Sequence, residues 1–291
     1  MSIEFLFHLS ISAIIFFVIC SGFKFFLKIA SILDFSYIGV VIFAAYFWFY
    51  LNIEYGFGLL WCILLSFLAS IPILLFLLYV SSKLEGVYFL IGTLAIYMLI
   101  LKMATGLESI TWGVFGLSIA SQHIIGNLSF WWIQSFMMWY TLFFVWVSVW
   151  LWYIRHSFFY SVLQGWGENV SCLKSIGYRV NIYKLCMILI TACLASIWGN
   201  MYGYYNAYID PGSFWLVLLN LILIISFISY KFQSIWTLLC AFFIILSYEY
   251  VRFFKFVDPA QIGYMREMLF GCIVMWSAYI VFKYTKLGRE L

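Results

Sequence analysis

Nine long apolar runs, at 5–27, 35–53, 57–80, 87–103, 130–154, 185–203, 214–230, 235–251 and 268–282, decide what this chain can fold into. A helix needs about 20 apolar residues to cross the hydrocarbon core of a bilayer. No water reaches that core, so each span must close its own backbone hydrogen bonds, and a barrel would need a polar alternation that is absent here. The chain is 67% hydrophobic, against roughly 45–50% in soluble domains. Such a surplus has no interior to occupy and must face lipid. The reading is all-α: a polytopic transmembrane helical bundle of about eight to ten spans, forming one membrane domain over 1–291. The first run is longer than a signal-peptide core and no small-residue cleavage site follows it, so it is read as a retained span.

One stretch between two of these runs breaks the apolar pattern. Residues 155–184 hold Arg155, Glu168, Lys174, Arg179 and Lys184 in a chain that is only 9% charged. Two readings of it stay open, a solvated connector and a coupling element that takes force from a soluble partner. Placing it in the cytoplasm puts the N-terminus outside and the C-terminus inside. Eleven of the fifteen basic residues then lie inside, among them Lys24, Lys28, Lys83, Arg155 and Lys283, while Lys102, Arg252, Lys255 and Arg266 lie outside. That is the positive-inside bias of a plasma-membrane protein. Two irregular segments fall on the exterior side, 104–129 with its glycines and 204–213 with an Asp-Pro-Gly turn. Broken backbone at membrane depth survives only where it is buried or lines a cavity. An external gate, a binding-protein contact and plain connecting loops are the alternatives for both.

The search for catalytic chemistry is negative. No Walker A pattern holds ATP phosphates, and no GxGxxG follows a strand. His8, His123 and His156 lie far apart, and the seven cysteines show no paired spacing, so the sequence calls for no metal, cofactor or disulfide framework. The acids are spread one per connector. Asp34 and Glu249 come nearest to lying inside runs, but both sit close to run ends, where solvation accounts for them. A membrane enzyme acting on lipid-linked substrates would need a clustered acid/base set, so the chain is read as a non-enzyme. The net charge of +4 follows from the inside bias and implies no nucleic-acid partner.

The polar stretch carries a resemblance. ENVSCLKSIG at 168–177, followed by YRVNIYKL, resembles the cytoplasmic loop of branched-chain amino-acid ABC transporter permeases of the LivH/LivM type. Ser157 and Phe159 fit the Ser-x-Phe that opens that loop. Further matches come in the family's order: Ala45-Tyr46, LEGVYFLIGTLA at 84–95, TWGVFGL at 111–117, Leu194-Ala195 with Gly199 and Tyr202, IDPGSF at 209–214, and Arg266 with Gly271. Two departures stand out. Gln164 and Gly167 replace arginines ahead of the Glu-Asn pair, and SYKFQSIWTLLCA at 229–241 replaces a glycine-rich segment. Bulky Tyr230, Phe232 and Trp236 there require wider helix separation than glycines would.

The resemblance implies the membrane-spanning subunit of an ATP-driven importer for branched-chain or related hydrophobic amino acids, set in the cell (inner) membrane. Its partners would be cytoplasmic ATPase subunits, a second permease subunit, identical or paralogous, and an exterior substrate-binding protein. Permeases for urea or short amides share the resemblance, and a non-transporting pseudo-permease or scaffold stays open as well. The docking loop maps onto Glu168, Asn169, Val170, Leu173, Ile176 and Gly177. A short helix is expected over 168–176, with Val170, Leu173 and Ile176 on one face and Gly177 as its left-handed terminator. Packing against this chain's own helices is the competing role for those three apolar residues. For the substrate route, the helices at 35–50 and 87–101 offer Ser36, Tyr46 and Thr93 as polar groups, with Gly92 beside Thr93 allowing close approach. The competing role for these is hydrogen-bonded glue between helices.

Overall fold

The computed structural model describes residues 3–30, 33–84, 86–118, 130–168, 170–214, 216–230, 234–250 and 259–284. Each of the nine apolar runs recurs as a helix. In chain order the helices are α1 (Ile3–Ala30), α2 (Ser36–Tyr55), α3 (Leu59–Lys83), α4 (Gly86–Gly106), α5 (Glu108–Thr111), α6 (Phe130–Arg155), α7 (Phe158–Glu168), α8 (Val170–Ser175), α9 (Val180–Asn206), α10 (Leu216–Ile228), α11 (Ser234–Tyr250) and α12 (Pro259–Tyr284). Two short strands, β1 (Leu117–Ser118) and β2 (Tyr208–Ile209), complete the described elements. The chain is a multi-pass helical membrane protein.

Length sorts these helices. Among the described residues, α1 to α4 and α9 are each long and apolar enough to cross a bilayer, and α6 with α7 forms a sixth candidate bent by 67°. Helices α10 and α11 are shorter. Helix α10 has 13 residues, about 20 Å against a core of about 30 Å. Helix α12 has 26 residues, and its apolar stretch follows Arg266 and Glu267. Among the described residues, length and composition alone thus give five or six candidate spans. Helix α3 runs through Pro72 without a break. Its exposed side carries Leu60, Trp61, Leu64, Leu68, Leu75 and Tyr79, a stripe at helical spacing suited to lipid.

The chain divides into two compact units. The first holds residues 1–24, 127–149 and 216–290. Here α10 packs against α12 and α11, with Leu221, Ile224 and Phe270 at the centre and Ile244 and Tyr248 around them. Phe17 meets Phe144 edge-on at 4.6 Å. Lys24, counted from sequence among the inside cations, is only 2% exposed. Its Nζ donates to Thr237 Oγ1 at 2.7 Å, so a hydroxyl on α11 replaces water around the ammonium. In the departing segment at 229–241, Trp236 turns outward at 55% exposure and so imposes no helix separation on that side; Phe232 lies outside the described residues.

The second unit holds residues 25–126 and 150–215, and α2 is its centre, packed against α9, α4 and α3. Burial of Ile38, Val41, Ile42, Ala44, Ala45, Trp48 and Phe49 shows that α2 is enclosed over most of its surface, with Phe43, Phe47 and Tyr50 half-buried on the remaining side. A helix apolar all round is what such a position requires. The tightest contact is with α9. A Cβ added at Gly199 would lie 2.5 Å from the Val41 carbonyl oxygen and 2.9 Å from the Ala45 nitrogen. Four residues on, Gly203 faces the rings of Trp48 and Phe49. This small-xxx-small spacing lets two backbones meet where lipid supplies no hydrophobic drive between helices. Asn200 ties α9 to α3, donating from Nδ2 to Ser66 Oγ at 2.7 Å and to the Ser196 carbonyl at 2.7 Å.

Candidate functional site

At the head of α2 the second unit forms a small, partly open cavity with room for about one water molecule. Asp34, Ser36, Tyr37 and Val40 line it from the chain entering α2, Leu74 and Leu77 from α3, and Ile188, Thr191 and Ala192 from α9. Asp34 is 4% exposed, so the solvated run end expected of it is corrected. The reason is local. Its Oδ1 accepts from the Ser36 amide at 2.9 Å and from Ser36 Oγ at 2.5 Å, folding the carboxylate back over the first turn of α2. There it answers the unpaired amides and positive dipole of a helix start. Sequence position near a run end carried no signal that α3 and α9 would close over it.

Burial pushes the Asp34 carboxyl up to about 6, offset in part by hydrogen bonds from Ser36 and the Tyr37 amide. Among the described residues no basic side chain pairs with it. A folded-state value above the ordinary 3.8 means the native protein holds this proton more tightly than the unfolded chain. The stability cost of ionising it is absent below about pH 4, grows through the window between, and is complete above about pH 6. The thermal midpoint should fall across that window by the equivalent of roughly 2–3 kcal/mol, and Asp34→Asn should remove that part of the slope. Midpoints of both proteins between pH 4 and 7 check this; parallel profiles would refute the assignment.

The four residues read as a substrate route do not gather at one place. Ser36 lines the cavity. Thr93 does not; its Oγ1 donates to the Leu90 carbonyl at 2.9 Å and accepts from the Phe35 amide at 3.3 Å, bridging α4 to the start of α2. Such bonds join one helix to another. Gly92 faces Leu84 and Val80. Tyr46 lies ten residues beyond Ser36, about 15 Å along α2, with its buried Oη lacking a hydrogen-bond partner among the described residues. Thr191, which sequence reading passed over, takes the place on the cavity wall that Thr93 was given.

The polar stretch forms a helical hairpin. Helix α7 is strongly amphipathic, burying Val162 and Leu163 and exposing Phe158, Ser161 and Gln164. Helix α8 then doubles back, and its end has the Schellman pattern. Gly177 stands at φ +92°, its amide donates to the Lys174 carbonyl at 3.1 Å, and the Tyr178 amide donates to the Leu173 carbonyl at 3.1 Å. The accompanying apolar contact is Tyr178 on Leu173. The left-handed residue expected at 177 is thus in place. The helix expected over 168–176 is instead the end of α7 and a separate six-residue α8. Leu173 turns inward at 8% exposure against Val162, Tyr178 and Tyr183, with Gly165 beside it, whereas Ile176 turns outward at 65%. Asn169 lies outside the described residues, as do the side chains of Glu168 and Val170. Tyr183 belongs to the first turn of α9, so α8 leans on the helix that carries Thr191.

The two irregular segments placed on one side by the charge pattern meet each other. Strand β1 pairs antiparallel with β2, Leu117 opposite Ile209 and Ser118 opposite Tyr208. Tyr208 Oη donates to the Phe115 carbonyl at 3.2 Å, and Tyr97 of α4 donates to the Phe214 carbonyl at 2.6 Å. At the other end of the bundle Arg155 stands close to Lys28, and burial together with that neighbouring charge holds Lys28 below its ordinary value.

No curated protein and no solved structure matches the chain significantly. A model of the branched-chain amino acid transport system permease component matches residues 5–278, all the main helices included. A match over so much of the chain, carried by a lipid-facing bundle with a helical hairpin at one end, settles the family: the chain belongs to the permease components of branched-chain amino acid transport systems.

Proposed function

We propose that this permease is the membrane-spanning subunit of an ATP-driven importer of branched-chain or related hydrophobic amino acids. It works with cytoplasmic ATPase subunits, a second permease subunit and an exterior binding protein, in the cell (inner) membrane with its N-terminus outside. The observation that carries this reading is the α7–α8 hairpin, capped by Gly177, whose Val162–Leu173 cluster packs against Tyr183 of α9. A force applied to α8 by a closing ATPase pair passes into the first turn of α9. Eight residues further along, about 12 Å away, Thr191 forms the cavity wall. Coupling and cavity are thus joined by one rigid helix, which alternating access requires of a moving part.

Reconstitution tests the reading. In proteoliposomes containing the ATPase subunits and supplied with the exterior binding protein, leucine uptake should require ATP and be competed by isoleucine and valine, but not by urea or acetamide. Competition by the amides alone would move the permease to that substrate class, and an assembled complex without uptake would make it a scaffold. The same orientation makes exposed Cys172 of α8 react with an impermeant maleimide only after cells are permeabilised; labelling in intact cells would invert the topology.

A further inference from the structure

The polar groups around the α2 cavity are arranged for one kind of ligand. Ser36 Oγ gives its hydrogen to Asp34 Oδ1. Thr191 Oγ1 gives its hydrogen back to its own helix, at the Ile188 carbonyl 3.0 Å away or the Met187 carbonyl 3.1 Å away. With both hydroxyl hydrogens committed, these side chains present the cavity with lone pairs, and the carboxylate adds negative charge. An anion is repelled there, and a donor or cation is drawn in. Asp34 has no basic partner among the described residues, so a cation seated beside it would offset a buried charge that is otherwise costly.

Size and ligand number narrow the class. The cavity has room for about one water molecule, which an –NH3+ group matches and a quaternary ammonium exceeds. Hard metal cations such as calcium and magnesium collect about six or more oxygens. Four side-chain oxygens, two of them on one carboxylate, are too few for that, but three side chains can serve the three N–H donors of a primary ammonium. The remaining wall is Tyr37 with the apolar Val40, Leu74, Leu77, Ile188 and Ala192, and those five suit the carbon that carries the nitrogen. We propose that this cavity is a subsite for a primary ammonium group, held by the Asp34 carboxylate with Ser36 Oγ and Thr191 Oγ1 as neutral acceptors. That the ammonium arrives on a transported amino acid rests on the importer reading; the subsite itself does not.

The test uses the full chain in lipid nanodiscs, read by its thermal midpoint at constant ionic strength and pH 7.5. Methylammonium chloride should raise the midpoint saturably, while tetramethylammonium chloride, which has no N–H, should not. Asp34→Asn keeps an acceptor for Ser36 and should bind methylammonium at least about tenfold more weakly, the usual loss of a charge-assisted hydrogen bond. Thr191→Val leaves the charge in place and should weaken binding by a smaller factor. Equal effects of the two amines, an equal effect of sodium chloride, or undiminished binding by Asp34→Asn would each overturn the subsite. A second arm compares leucine with 4-methylpentanoate, which lacks the amine. A leucine response that needs both the amine and Asp34 identifies the transported amino acid as the source. A methylammonium response without a leucine response keeps the subsite and removes its link to amino-acid import.

Discussion

Gly199→Ala, the addition of a single methyl group, should destabilise the permease by about 3 kcal/mol or more. The added Cβ would stand 2.5 Å from the Val41 carbonyl oxygen and 2.9 Å from the Ala45 nitrogen, and both are backbone atoms that no rotamer change can move. Relief therefore requires α9 to shift off α2 as a body, which disturbs the Trp48 and Phe49 rings packed at Gly203 one turn away. It also pulls on the Asn200 to Ser66 hydrogen bond, because Asn200 is the next residue on α9. Alanine is the better helix former by about 1 kcal/mol, so intrinsic propensity works against the predicted direction and makes the test sharper. Gly271→Ala is the control, since a Cβ there meets nothing within 4 Å. Thermal midpoints in the same detergent should drop for Gly199→Ala and hold or rise for Gly271→Ala. A Gly199→Ala protein as stable as wild type would mean that α2 and α9 do not pack at this distance. Gly199→Leu should yield no monodisperse protein.

Helix existence was legible because lipid imposes one rule on every span: a run of apolar residues must close its own hydrogen bonds, and all nine runs did. Crossing length was less legible. The run at 214–230 reads as long enough to cross, while the helix it forms, α10, has 13 residues. The Gly177 terminator was legible because a left-handed residue after a helix favours glycine whatever lies around it. The site was harder. Asp34 and Thr191 are 157 residues apart and owe their meeting to the packing of α2 on α9, which sequence spacing does not encode. Ser36 and Thr93 look equivalent in sequence, two small polar residues in apolar helices. Only the direction of each side chain separates them, one toward the cavity and one toward the Phe35 amide.

The same limit applied to Val170, Leu173 and Ile176, whose three-residue spacing fits either docking on a partner or packing inward. The structure splits the set, and the split yields the second large effect. Ile176→Asp should leave folding nearly unchanged, within about 0.5 kcal/mol, because the side chain is already 65% exposed. If α8 seats in an ATPase groove, however, the new carboxylate is buried there without a partner, and loss of an anchor residue of this kind commonly costs about 2–4 kcal/mol. Copurifying ATPase should then fall by roughly thirtyfold or more, and ATP-dependent uptake with it. Leu173→Asp should fail differently. It places a charge at an 8% exposed position against Val162, Tyr178 and Tyr183, so the hairpin itself should open, at a cost of about 3 kcal/mol. Limited proteolysis separates the two outcomes, with new cleavage between α7 and α9 for Leu173→Asp and a wild-type pattern for Ile176→Asp. Should Ile176→Asp keep its ATPase at wild-type levels, the outward face of α8 is not the docking surface, and the coupling path through Tyr183 to Thr191 loses its starting point.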